Sequence, residues 1–192
     1  MQIRLYSLPS WAGVANVGFS LYISYVFAGG GQIGSRTVAY DAPYWQPLPT
    51  NVMGFPRSDE IFTVGTNRRS LQTGDVIHLR ASDGNFVGID HDEEDRNDSL
   101  VVNDPTSGLS NEFIVTVVQD PSVTQRLSSL NGLDPCGPPQ AVTLLGRGQH
   151  LLSFPLDDGS LDLGGNVAGD PQTFAIDFLP DPMPHRPPRP RP

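Results

Sequence analysis

Gly74-Asp-Val-Ile-His-Leu-Arg-Ala-Ser-Asp-Gly-Asn-Phe-Val-Gly-Ile89 and Ala141-Val-Thr-Leu-Leu-Gly-Arg-Gly-Gln-His-Leu-Leu-Ser-Phe154 carry one pattern, 65 residues apart. Ile77 answers Val142, Leu79 answers Leu144 and Phe86 answers Leu151. Each stretch reads as an alternating strand, a Gly-containing turn and a second alternating strand, which is the signature of a β-hairpin.

The match continues outward. Ser99-Leu-Val-Val-Asn103 answers Ser160-Leu-Asp-Leu-Gly164, and Ser110-Asn-Glu-Phe-Ile-Val-Thr-Val117 answers Pro171-Gln-Thr-Phe-Ala-Ile-Asp-Phe178. The downstream offset is 61, and the four-residue difference falls in the acidic segment 90–98, where a loop insertion is expected. The first third follows the same order. Gln2-Ile-Arg-Leu-Tyr6, Val17-Gly-Phe-Ser-Leu-Tyr-Ile23, Ser35-Arg-Thr-Val-Ala-Tyr40 and Ser58-Asp-Glu-Ile-Phe-Thr-Val64 are its candidate strands. Gly29-Gly-Gly31 reads as the hairpin turn between the second and third.

Twelve strands in three four-stranded units, with Gly-rich hairpin turns and a hydrophobic fourth strand, resemble the β-trefoil. The resemblance covers residues 1–179, with units at about 1–66, 67–130 and 131–179. It implies an all-β domain: six strands close a short barrel and three hairpins cap its base. Ile3, Leu5, Ile77, Leu79, Val142 and Leu144 then point to the threefold axis, joined by Phe62 or Ile61, Phe113 and Phe174. Closure removes sheet edges, which suits a chain with so many β-prone runs. A β-sandwich also permits short strands and turns, but leaves a three-unit count unexplained.

Composition agrees. The 192 residues fit one domain plus a tail. Gly 20 and Pro 19 together make about a fifth of the chain, too many breakers for long helices. The formal charge of −9 repels phosphate backbones and argues against nucleic-acid binding. All twelve positive residues are Arg. Absence of Lys excludes Schiff-base and lysine-base chemistry; codon bias and selection against lysine modification both account for it. Cys136 stands alone, so an internal disulfide or multi-thiolate site is excluded, and its Pro-Gly-Pro surroundings describe a stiff connector. No run is long and apolar enough for a membrane helix, and no signal peptide opens the chain. The expected location is the cytoplasm, or export by a leaderless route.

Residues 180–192 hold seven prolines and three arginines. They predict an extended polyproline-like tail, either solvated or a ligand for a Pro-recognition module. With Asp181 set against three arginines the tail is +2, which leaves −11 on the body.

Candidate chemistry is sparse. Asp90-His-Asp-Glu-Glu-Asp-Arg-Asn-Asp98 concentrates carboxylates that suit Ca²⁺, but it lacks the EF-hand glycine and carries Arg96; a solvated loop is the simpler expectation. His78 and His150 lie in or beside predicted strands as packing residues, and no zinc-ligand spacing occurs. No catalytic set, metal site or cofactor motif emerges. The long connector 41–56 differs: it carries Tyr44, Trp45, Met53 and Phe55 among four prolines. Stiff backbone and aromatic area are what a recognition loop requires, although Trp45 and Phe55 also suit packing across the barrel's end.

Trefoil resemblance refines the expectation. Ricin-type lectins carry Gln-x-Trp near the end of each unit; here the matching stretches read Asn111-Glu-Phe113 and Gln172-Thr-Phe174, without the Trp. Leu79-Arg-Ala-Ser-Asp-Gly-Asn-Phe86 looks more like units of the fascin-like group, and the disulfides and opening motif of plant Kunitz inhibitors are missing. In general character the chain is similar to cytosolic fungal lectins and inhibitors of this fold. The expected function is a monomeric, non-catalytic binding module for a glycan, with Tyr44, Trp45, Asp83, Asp90 and Asp92 as ligand-binding residues. Alternatives are a protease inhibitor or other protein-binding trefoil that inserts the 42–56 loop, and fascin-like cytoskeletal binding.

Overall fold

The computed structural model describes residues 1–8, 17–26, 30–39, 61–65, 68, 70–92, 97–128, 140–153, 162–165 and 167–179. Among them are twelve strands and one α-helix. The strands are β1 (Gln2–Ser7), β2 (Val17–Val26), β3 (Gly30–Ala39), β4 (Phe62–Thr63), β5 (Val76–Ile77), β6 (Phe86–Asp92), β7 (Asn97–Asp104), β8 (Phe113–Val117), β9 (Gln140–Leu145), β10 (Leu151–Ser153), β11 (Asp162–Gly164) and β12 (Phe174–Leu179).

Six strands close a ring. β1 runs antiparallel to β12 from Gln2↔Leu179 to Ser7↔Phe174, so the first and last strands are neighbours. β12 pairs with β9, β9 with β8, and β8 with β5. The circle is completed where Thr63 of β4 bridges Arg80, just past β5, and where β4 pairs with β1. The other six strands form three antiparallel hairpins, β2–β3, β6–β7 and β10–β11. A six-stranded barrel carrying three hairpins is a β-trefoil.

Alternation sorts the barrel side chains, because successive residues of a strand face opposite ways. Ile3, Leu5, Phe62, Ile77, Leu79, Phe113, Val142, Leu144 and Phe174 belong to one buried cluster, as the repeat predicts. Of the two candidates in the fourth strand of the first unit, Phe62 takes the core place. Opposite-parity residues Tyr6, Ala175 and Ala141 are direct cross-strand neighbours on the outer wall. With Leu8 they form a second buried cluster under Val123 and Leu127 of α1 (Pro121–Ser128). That helix starts as capping rules require. Asp120 accepts the Ser122 N–H through its side chain (2.8 Å), and Pro121 occupies the first helical position, where a missing N–H costs nothing.

Three details differ from the sequence expectation. The first hairpin is longer: Gly30 and Gly31 pair with Val26 and Tyr25 instead of forming the turn. The β-prone run Tyr22-Ile-Ser-Tyr-Val26 supplies the strand propensity that its glycine partners lack. The acidic segment 90–98 is paired at both ends, because β6 reaches Asp92 and β7 starts at Asn97. Of the expected fourth strand 58–64, residues 58–60 lie outside the described residues, and within 61–64 the strand is Phe62–Thr63.

The turn between the first two strands of a unit recurs closely. In the second unit the Ala81 N–H bonds the Asn85 carbonyl, and in the third the Gly146 N–H bonds the His150 carbonyl, each at 2.8 Å. Both turns use a left-handed backbone at the same place, Gly84 (φ 97°) and Gln149 (φ 65°). After the second and third hairpins a 3-10 turn leads into the closing strand, Leu109–Asn111 before β8 and Asp170–Gln172 before β12.

Candidate functional site

Two of the predicted residues, Asp83 and Asp90, line two separate clefts. The first, about 400 Å³, lies where the first and second units meet and is lined by Gln2, Ile61, Thr63, Arg80, Ala81, Ser82, Asp83 and Gly84. Reciprocal backbone bonds between Thr63 and Arg80 (2.8 and 3.0 Å) hold β4 against the chain leaving β5. The turn that follows locks itself. Asp83 accepts the Asn85 N–H at 2.9 Å and the Asn85 side-chain amide at 2.7 Å, an Asx turn. The Arg80 Nε donates to the Gly84 carbonyl at 3.0 Å, and its guanidinium lies 5.9 Å from the Phe86 ring centre. Thus Asp83 fixes the turn, while Arg80, absent from the sequence expectation, brings a positive charge to the cleft.

The second cleft, about 270 Å³, is lined by Gly88, Ile89, Asp90, Val101, Pro105, Ser110 and Asn111. Gly88 lets the 3-10 turn approach: a Cβ there would sit 3.2 Å from the Ser110 carbonyl oxygen. Asn111 is buried, accepting the Gly108 N–H (2.6 Å) and donating to the Thr106 carbonyl (3.2 Å). Gln172 does the equivalent work in the third unit, accepting the Gly169 N–H (3.0 Å) and donating to Ser153 Oγ (3.0 Å). The Asn and Gln that align with the lectin motif therefore lock backbone turns.

Asp83 and Asp90 do not share a cleft. Asp92 ends β6 opposite Asn97, and its side chain lies outside the described residues. Tyr44, Trp45, Cys136 and the 180–192 tail also lie outside them. Ile61, which follows the 40–60 segment, is in the wall of the first cleft.

The sequence reading missed one ionisable cluster. Asp98 on β7 accepts from His91 Nδ1 on β6 at 2.5 Å, and from His150 Nε2 in the third unit at 2.7 Å. The His91 hydrogen bond holds the Asp98 carboxyl below its ordinary value; partial burial works against it, and the His150 bond adds to the lowering. Gly148 (φ 73°) gives the cluster room, since a Cβ there would fall 2.9 Å from both Asp98 Oδ2 and the His150 ring. His150, expected as a packing residue, is thus a bridge between units. His78 packs edge-on to Phe86, ring centres 6.0 Å apart, with Glu112 at 3.9 Å. Among the described residues, no group of three or more His, Cys, Asp or Glu is arranged to hold a metal ion, and no helix is long and apolar enough to cross a membrane.

No protein-family model matches the chain, and no curated protein matches it in sequence. Solved structures do. The designed threefold-symmetric protein ThreeFoil aligns with a TM-score of 0.51 and 11% identity, over 91% of this chain and 99% of that one. A Culex salivary protein of the Cysteine and Tryptophan-Rich family gives 0.55 and 6%, over 93% of each chain. A Caenorhabditis elegans protein of unknown function gives 0.52 and 12%, over 91% of this chain and 92% of that one. Identities this low show the fold alone, and the designed protein's threefold symmetry agrees with the barrel and hairpins described above.

Proposed function

We propose that the chain is a non-catalytic binding module whose ligand is a glycan, held at the first cleft. The observation that carries this reading is the cleft's lining. An amide (Gln2), two hydroxyls (Thr63 and Ser82) and two opposite charges (Arg80 and Asp83) converge around an open space of sugar size. Hydroxyl-rich ligands need such a mixture of donors and acceptors on rigid backbone. Ile61 in the cleft wall follows in sequence the 40–60 segment, which carries Tyr44 and Trp45, the aromatic candidates of the sequence reading.

A glycan array with wild type and Trp45→Ala tests the reading. Expected is a defined set of bound glycans, with signal lost in the variant. An array blind to sugars, with inhibition of a protease that falls in Trp45→Ala, would replace it by the protein-binding alternative through the 42–56 loop.

A further inference from the structure

The first cleft contains an asymmetry that narrows the ligand class beyond "glycan". The molecule carries −9 overall, yet Arg80 lines the cleft, and its guanidinium is held at Gly84, which lines it too. Two contacts hold that group: Nε to the Gly84 carbonyl at 3.0 Å, and the Phe86 ring 5.9 Å away. Among the described residues it has no carboxylate within ion-pair distance, whereas Arg68 is paired with Asp75 at 2.6 Å. Its terminal nitrogens remain available, in the planar fork that matches a carboxylate. Asp83, the other charge in the wall, already accepts two hydrogen bonds from Asn85. Its remaining lone pairs suit a neutral hydroxyl donor.

We propose that the cleft recognises a carboxylate-bearing sugar. The sugar's carboxylate meets Arg80, and its hydroxyls meet Asp83, Ser82, Thr63 and Gln2. This deepens the glycan reading and rests on it. The acidic body repels anions in general, so charge alone is insufficient and the hydroxyl contacts are needed as well. A neutral sugar lacks the partner for Arg80, and a simple carboxylate lacks the partners for the other four residues.

Three probes separate these contributions in an amide-shift titration by NMR: glucuronate, glucose and acetate. Glucose differs from glucuronate at a single carbon, and acetate carries the charge without the hydroxyls. Expected is saturable binding of glucuronate that shifts the amides of Thr63 and of residues 80–84, at least tenfold tighter than either other probe, because hydrogen bonds to charged groups are the stronger ones. Arg80→Gln brings glucuronate down to the level of glucose, about tenfold weaker, and Arg80→Lys recovers part of the loss. Added salt weakens glucuronate and leaves glucose unchanged. The Arg80 bonds to Thr63 are backbone bonds, so the variants keep the fold, which the spectrum itself verifies.

Equal binding of glucose and glucuronate by wild type overturns the proposal and leaves the glycan reading standing. Undiminished glucuronate binding by Arg80→Gln also overturns it, by placing the anion elsewhere. Acetate binding as tight as glucuronate shows a plain anion site and overturns it too. No binding of any probe, together with a blind glycan array, removes both readings.

Discussion

Replacing Gly146 with alanine tests the barrel's packing without touching any hydrogen bond. Gly146 precedes the third-unit turn at φ −96°, a conformation any residue adopts. The matching position of the second unit already carries Ala81, so the turn itself accepts a methyl group. The surroundings of Gly146 do not. A Cβ there would overlap the Cδ1 of Ile89 and come 3.0 Å from the Phe113 ring. Both neighbours are buried in the main core, where interiors are close-packed and a displaced side chain has nowhere to go. Overpacking of this kind costs about 1–3 kcal/mol. For a chain of this size, about 2 kcal/mol corresponds to a Tm lower by about 4–8 °C. Ile89→Val removes the offending methyl and by itself costs about 0.5–1.5 kcal/mol. In the double variant the clash is relieved, so its total cost falls short of the sum of the two single costs by about 1 kcal/mol. Urea unfolding of the four proteins measures the cycle, with Gly65→Ala as control because nothing lies within 4 Å of a Cβ there. A Gly146→Ala protein as stable as the control, or two substitutions that simply add, would refute this account of the turn against the core.

Asp98 has a folded-state pKa below its ordinary value, so its contribution to stability is present above the unfolded carboxylate range and is lost as the pH falls below about 4. Wild type is therefore expected to exceed Asp98→Asn in stability at neutral pH, with the gap closing below pH 4; a gap that persists at pH 2 would count against the His91–Asp98–His150 bridge. Asp75 is also lowered, chiefly by its bond from the Gln72 backbone, and is common to both proteins, so the difference between them isolates Asp98. Asn111→Ala should cost about 1–3 kcal/mol, since the Gly108 N–H and Thr106 carbonyl lose their partner. Gln172→Ala, at a less buried site, should cost less in the same urea assay, and the reverse order would contradict the burial argument.

The core was legible because it obeys a period. Ile77 and Leu79 against Val142 and Leu144 repeat at a constant offset, and a buried barrel wall tolerates little besides alternating apolar side chains. The helix start was not read: Asp120-Pro121 is a capping signal, but the composition argument weighed against long helices and gave that dipeptide no role. The Asp98–His150 contact was not legible. Its partners are 52 residues apart and belong to different units, and no local pattern records which loop a hairpin meets. Arg80 escaped notice for another reason. In sequence it is one exposed arginine among twelve, and only the Thr63 bridge and the Gly84 carbonyl show that it faces a cleft. Of the expected ligand residues, Asp83 and Asp90 line clefts, but separate ones: Asp83 sits in the turn that faces Gln2 and Thr63, whereas Asp90 lies on β6 beside the 3-10 turn at Ser110 and Asn111.

The two matching turns show how a threefold scaffold can specialise. Both keep the same backbone bond and a left-handed residue at the same position, although the third-unit turn adds a second one at Gly148. What differs is the lock. The second-unit turn is closed by its own Asp83 and Asn85. The third-unit turn places His150, the counterpart of Asn85, against Asp98 of the neighbouring unit. A turn locked from within can take up a ligand at Arg80 without breaking a contact between units. A turn locked from outside transmits any disturbance at Asp98 to the second hairpin through β7. Ligand binding at the first cleft and acid titration at Asp98 should therefore act independently. Their separability follows from which residue, Asn85 or His150, ends an otherwise equivalent turn.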